Sequence, residues 1–304
     1  MKIPSRLLEV AADQDRLVTR RQALESGMSG AAVRHALGQQ GPWQKMVPGV
    51  YATFTGPLQH RHLVWAALLH AGPSAVVSGV DACRAYGVTY LPDATAVALL
   101  VPHDVHRAPI GFAAIRRVRS MPVARIVRGI PFAPPERAAL DAARETTSLR
   151  DVRAVLCEVV QRRLTTARRL AEEFTRVDRR KMALVRRALD DVQAGCRSAP
   201  ECELRSLILT SAVLPEPRWN EPLPDDETLV PDGYIEEARL VLEVESMEWH
   251  QFGDAPELTE RRRARYASLG WRVYPVSPRR IRDEPADVLA EIEAAAREAP
   301  DRAA

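Results

Sequence analysis

The sequence predicts a multidomain α+β chain. Three observations carry that reading: capped short helices and a small hairpin near the start, a middle region mixing apolar helices with strand-like runs, and a last third ordered helix, hairpin, helix, strand. With 304 residues and 46% hydrophobic content, the chain can bury more than one core.

Residues 7–12 read as a short helix, 19–27 as a second with Thr19 as its cap, and 29–39 as a third after a tight Gly-Met turn. That order makes a helix-turn-helix. Residues 41–52 read as a small hairpin, a wing. Along the third helix Val33, Ala36 and Leu37 face inward, which leaves Ser29, Ala31, Arg34, His35 and Gln39 available to a groove of duplex DNA. Arg20, Arg21 and Lys45 then approach phosphates. Residues 1–54 hold seven Lys or Arg against four Asp or Glu, a mild basic excess. DNA binding is the favoured reading, and a three-helix protein-interaction module stays open beside it.

The middle region predicts a separate α+β unit. Residues 62–70 form an apolar helix, Ser78-x-x-Asp81 a capping-box-like start for the next, and 95–102 a buried strand. Between residues 97 and 130, Arg107, Arg116, Arg117, Arg119, Arg125 and Arg128 oppose only Asp104. This dense basic stretch is either a phosphate-neutralising surface beside the wing or an ordinary solvated sheet face. His60, His62, His103 and His106 lack a neighbouring Cys or Asp pattern and read as surface or packing residues. Helices over 135–145, 149–163, 166–174 and 180–194 make a connector, and 195–200 a linker.

In the last third, Ser198 caps a helix with Pro200 and Glu201 in its first turn and Leu204, Leu207 and Ile208 buried. Period-2 alternation then puts Leu240, Leu242 and Val244 on one strand face and Val241, Glu243 and Glu245 on the other. Asp232 sits on the preceding strand, across a turn at Glu236-Glu237-Ala238, so an antiparallel hairpin brings it close to Glu243. Hard oxygen ligands at this density suit Mg²⁺ or Mn²⁺, acting on a phosphate oxygen and a bound water. A hairpin whose solvent face happens to be acidic is the equal alternative. His250 follows the second strand, residues 258–269 read as an arginine-rich helix closed by Gly270, and 271–276 as a further strand.

From about residue 196 to 293 this pattern resembles the very-short-patch-repair-like branch of the PD-(D/E)XK endonucleases. Ser198 and Glu201 match the family's helix, Asp232 its first strand, Glu243 its second, His250 its trailing histidine, and Arg262, Gly270, Trp271 and Val273 its closing segment. The resemblance implies a restriction-endonuclease-like α/β/α domain over 196–304. It implies Asp232 and Glu243 as ligands of Mg²⁺ or Mn²⁺, Glu245 as a further ligand or water orienter, and His250 and Glu201 as supporting catalytic groups. Two departures stand out: the usual Asp-Gly is Glu245-Ser246, and the helix Asp is Thr259 beside Glu260. No lysine fills the E-x-K position either. A weak or inactive nuclease site is therefore the expectation, with an active metal-dependent endonuclease as the alternative.

The front end resembles the winged-helix domain of AbiEi-type antitoxins of type IV toxin-antitoxin systems. Residues 18–29, Trp43 and the run Pro48-Gly49-Val50-Tyr51-Ala52 carry the likeness, with looser matches at 78–87 and 129–141. It implies an autoregulating transcriptional regulator with double-stranded DNA as partner, more firmly than a cognate toxin encoded nearby. The expected layout is a winged helix-turn-helix over 1–55, a middle α+β domain with helical connector over 56–195, and the endonuclease-like domain.

Net charge is +3 and nearly all basic residues are arginine, lysine occurring only at Lys2, Lys45 and Lys181. Cys83, Cys157, Cys196 and Cys202 show no C-x-x-C spacing, so neither a zinc site nor a disulfide framework is expected. The first residues lack the apolar core of a signal peptide, and no apolar run approaches the roughly 20 residues a bilayer span needs. A soluble cytoplasmic protein without membrane contact is the expectation.

Overall fold

The computed structural model describes residues 3–108, 110–180, 182–245 and 255–298. It is a multidomain α+β protein that divides into two compact units, Met1–Thr146 and Thr147–Ala304.

The first unit opens with α1 (Ser5–Asp13), β1 (Leu17–Thr19), α2 (Arg20–Glu25), α3 (Gly30–Ala36), β2 (Gln44–Val47) and β3 (Val50–Ala52). Thr19 starts α2 through a reciprocal capping box: its hydroxyl accepts from the Gln22 N–H at 3.0 Å, and the Gln22 side chain accepts from the Thr19 N–H at 2.8 Å. Ser29 caps α3 by accepting from the Ala32 N–H at 3.1 Å. The strands form an antiparallel sheet in the order β1-β3-β2. The hairpin turns at Pro48-Gly49, where Gly49 takes φ +80°, a conformation costly for residues with a Cβ. Leu7, Ala11, Val18, Ala23, Met28, Val33, Ala36, Trp43 and Tyr51 close one core beneath these elements. The helices and the hairpin fall where the sequence predicts them, and β1 is an additional strand that pairs with β3.

The same unit continues with α4 (His60–Ala71), β4 (Val76–Val77), α5 (Gly79–Ala85), β5 (Val97–Pro102), β6 (Ala113–Val118), β7 (Arg125–Val127), β8 (Ile130–Phe132) and α6 (Pro135–Ala143). Its five strands run in the order β6-β5-β4-β8-β7, with parallel and antiparallel pairs mixed. Ser78 departs from expectation. It precedes α5 but makes no side-chain cap. Its hydroxyl instead donates to Asp141 at 2.7 Å, a carboxylate that also binds Arg137 at 2.8 Å and Arg116. A buried carboxylate needs such partners, and Ser78 is drawn into satisfying it.

The second unit holds α7 (Leu149–Gln161), α8 (Ala167–Arg176), α9 (Ala183–Gln193), α10 (Ala199–Ile208), β9 (Arg218–Trp219), β10 (Gly233–Ile235), β11 (Leu240–Val244), α11 (Ala255–Ser268), β12 (Arg272–Val276), α12 (Pro278–Asp283) and α13 (Pro285–Arg297). The sequence places breaks near residues 55 and 195, whereas the compact units divide between Thr146 and Thr147. Buried ion pairs explain why α7 and α9 belong with α10. Asp191 on α9 is bound at 2.8 Å by Arg153 of α7 and at 2.8 Å by Arg205 of α10. Beside them, the buried thiols of Cys157 and Cys202 lie 3.7 Å apart.

The sheet of this unit runs β12-β11-β10-β9. The β10–β11 hairpin is antiparallel with Gly233 opposite Leu242, while β11 and β12 are parallel and joined through α11. A parallel pair needs such a crossover, and the helix covers the sheet face it crosses. Tyr266 of α11 packs there against Tyr234, Val241 and Trp271. Strand β11 is thus buried on both sides, which overturns the reading of Glu243 as part of a solvent face: it is only 4% exposed.

Candidate functional site

The acidic cluster is assembled at one end of β10 and β11. The hairpin register, continued by one residue, sets Asp232 opposite Glu243, as the alternation predicts. Asp232 Oδ2 accepts from the Val244 N–H at 2.8 Å, extending the ladder with a side chain beyond the last β10 pair. Glu201 enters from the first turn of α10. Its N–H donates to Ser198 Oγ at 3.3 Å, and its carboxylate accepts from the Arg197 N–H at 2.8 Å and from Asn220 Nδ2 at 2.6 Å. Asn220 is held in turn by donating to the Gly195 carbonyl at 3.2 Å. Gly195 has φ +104°, and a Cβ there would stand 2.4 Å from the Trp219 carbonyl oxygen, so this turn excludes larger residues.

Burial dominates the electrostatics. It lifts the Glu201 carboxyl to about 7, with the Asp232 charge adding and the bonds from Arg197, Ser198 and Asn220 opposing. Asp232 is raised by burial against the pull of its Val244 bond and of Arg262 and Arg197. Glu243 is raised by burial, opposed by Arg262, with Asp232 adding to the rise. Tyr266, beneath Arg262 at 6.0 Å from ring centroid to guanidinium, is raised by burial and by the same carboxylates. Three carboxyls thus crowd into a poorly hydrated place, where each resists ionisation.

Arginines of α11 answer that crowding. Arg262 pairs with Glu243 and Arg263 with Glu245. As arranged, Glu243 and Glu245 each give one oxygen to a guanidinium. Glu243 Oε1 accepts from Arg262, and the charge of that guanidinium also acts on Asp232. Among the described residues, no group of three or more His, Cys, Asp or Glu could hold a metal ion. His250 and Ser246 lie outside the described residues. Sequence reasoning missed Asn220, Arg197 and Arg263, whose partners are set by folding rather than by any local pattern.

The basic candidates stand in the first unit. Ser29, Arg34 and His35 are exposed on α3, as are the neighbouring Ala31 and Gln39, while Val33 and Ala36 are buried. Arg20 and Arg21 are exposed at the start of α2, and Lys45 is exposed on β2. Of the six middle arginines, Arg116 is committed to Asp141 and Glu145, so it is not a free surface charge. Arg117 donates to His106 at 2.7 Å and Arg107 to the Ala71 carbonyl at 3.1 Å, while Arg119, Arg125 and Arg128 are exposed. The histidines are engaged locally: His60 with Asp81 at 2.5 Å, and the buried His62 with the Gln59 N–H at 2.9 Å and the Phe54 ring.

No protein-family model matches the chain, and no curated protein matches it. Among solved structures, that of the RV2827C protein from Mycobacterium tuberculosis is similar at 18% identity, over 62% of this chain and 78% of that one, with a TM-score of 0.41. Among the described residues, no helix is long and apolar enough to cross a membrane.

Proposed function

We propose that this protein is a double-stranded-DNA-binding regulator that reads its site with α3 and braces it with the β2–β3 hairpin, in the manner of a winged helix-turn-helix. One observation carries the reading: α3 buries Val33 and Ala36 and turns Arg34 and His35 outward, beside exposed Arg20, Arg21 and Lys45. The AbiEi-type resemblance of the same residues supports autoregulation of its own promoter, and a cognate toxin is the partner that resemblance adds. In this reading the second unit keeps an endonuclease-like α/β/α fold in which Glu243 and Glu245 are paired with arginine, and it cuts DNA weakly or not at all. The buried meeting of Glu201, Asp232 and Glu243 favours one alternative, an endonuclease using Mg²⁺ or Mn²⁺, and the Arg262–Glu243 pair speaks against it.

The test is sequence preference. Titrate a labelled duplex from upstream of the gene, and a scrambled duplex of equal length, with wild type and with the Arg34→Ala, His35→Ala double variant. Losing base-edge contacts should cost about 1–3 kcal/mol on the upstream duplex and little on the scrambled one. Equal affinity of wild type for both duplexes, or an unchanged preference in the variant, would sink the proposal.

A further inference from the structure

A cleft of about 930 Å³ lies within the first unit, bounded by the start of α2, the Pro48-Gly49 turn, α4 and the loop that follows β5. We infer that it binds a small phosphorylated ligand of nucleoside-polyphosphate size. The volume falls at the upper end of the range for small-molecule sites, roughly 300–1,000 Å³. Its charge has one sign. Arg20, Arg21, His70, His106 and Arg107 line it, and among the described residues no Asp or Glu does.

The three arginines are poorly neutralised. Among the described residues, no carboxylate lies within ion-pair distance of Arg20 or Arg107, and the sole ion pair of Arg21 is a 3.8 Å contact to Glu25, exposed on both sides. Arg107 is also positioned in advance. Its Nε donates to the Ala71 carbonyl at 3.1 Å, and its terminal nitrogen sits 3.1 Å from where a Cβ on Gly72 would stand, so this glycine makes room for the guanidinium. His70 Nε2 is fixed at 2.8 Å on the Ala108 carbonyl, which sets the ring beside it. A guanidinium held by a backbone carbonyl and left without a carboxylate suits phosphate oxygens. The lining also includes apolar side chains, Leu24 on the same helix as Arg20 and Arg21, and Trp65 and Leu68 on α4, against which a base or sugar can pack. Basic groups for phosphate and apolar side chains for the nucleoside define the ligand class.

The ligand site stands on this cleft alone. One consequence rests on the proposed function: Arg20 and Arg21 would serve both the ligand and the DNA backbone, so the ligand should compete with DNA.

Calorimetric titration of the full chain with ATP and with inorganic pyrophosphate tests this. ATP should bind with a dissociation constant below about 1 mM and more tightly than pyrophosphate. Arg107→Ala should weaken ATP at least about tenfold. Pro73→Glu places a carboxylate on the exposed lining of the cleft, and should weaken ATP about threefold or more. Far-ultraviolet circular dichroism checks that both variants fold. No ATP binding by wild type, equal binding of ATP and pyrophosphate, or unchanged affinity in both variants overturns the inference. So does a loss of duplex binding in Arg107→Ala that equals its loss of ATP, because the cleft would then be a DNA contact. Duplex binding without ATP binding defeats this inference alone, and ATP binding without duplex binding defeats the DNA reading alone.

Discussion

Replacing Glu201 by Gln separates its two roles, hydrogen-bond acceptor at the start of α10 and titrating acid. Burial first, and the charge of Asp232 second, lift its carboxyl from 4.5 to about 7. The folded chain therefore holds this proton more tightly than the unfolded chain does. Its contribution to stability is full below 4.5 and is lost as the pH rises through about 7. At about 1.4 kcal/mol per pH unit, the loss over that window comes to about 3 kcal/mol. Gln carries no charge, and its carbonyl oxygen can still accept from the Arg197 N–H and from Asn220, so those bonds survive. Glu201→Gln should match wild type near pH 5 and exceed it by about 2–3 kcal/mol near pH 8. Urea unfolding of both proteins across this range measures it, and the difference between them removes titrations they share. A difference that stays constant with pH, or a Gln variant that is less stable near pH 8, would refute the buried acid.

Two further predictions follow from the second unit. Asp191→Ala strands Arg153, itself 4% exposed, and should cost about 3–5 kcal/mol in urea unfolding; a cost under about 1 kcal/mol would mean that α7 and α9 are not locked to α10 as described. On supercoiled plasmid with Mn²⁺, wild type, Asp232→Ala and Glu243→Ala should nick equally little. Cleavage by wild type that both substitutions abolish would establish the nuclease alternative instead.

Local features of this chain were legible in its sequence. Thr19, Ser29 and Ser198 are all helix caps, because a hydroxyl that meets an N–H three residues ahead needs no distant partner. The alternation from Leu240 to Glu245 likewise set Asp232 against Glu243, since strand period and turn length determine register. What escaped depends on distant neighbours. Ser78 has the pattern of a cap, yet its hydroxyl answers Asp141, 63 residues away. Helices α7 and α9 look like a connector until Asp191 meets Arg153, 38 residues back, and Arg205. The burial of Glu243 follows from the α11 crossover, which alternation within one strand cannot reveal. The same helix brings Arg262 and Arg263 onto the carboxylates and changes the chemistry they offer.

The central claim, that the first unit grips the DNA backbone beside α3, is tested most directly by the salt dependence of duplex affinity. Measure fluorescence anisotropy of the upstream duplex between about 50 and 200 mM salt, for wild type and for the Arg20→Ala, Arg21→Ala double variant. Each phosphate contact contributes about 0.9 to the slope of log affinity against log salt. The account predicts a steep fall for wild type and a slope shallower by about 2 in the variant, with weaker binding to every duplex. A wild-type affinity that ignores salt, or two coincident slopes, would contradict it.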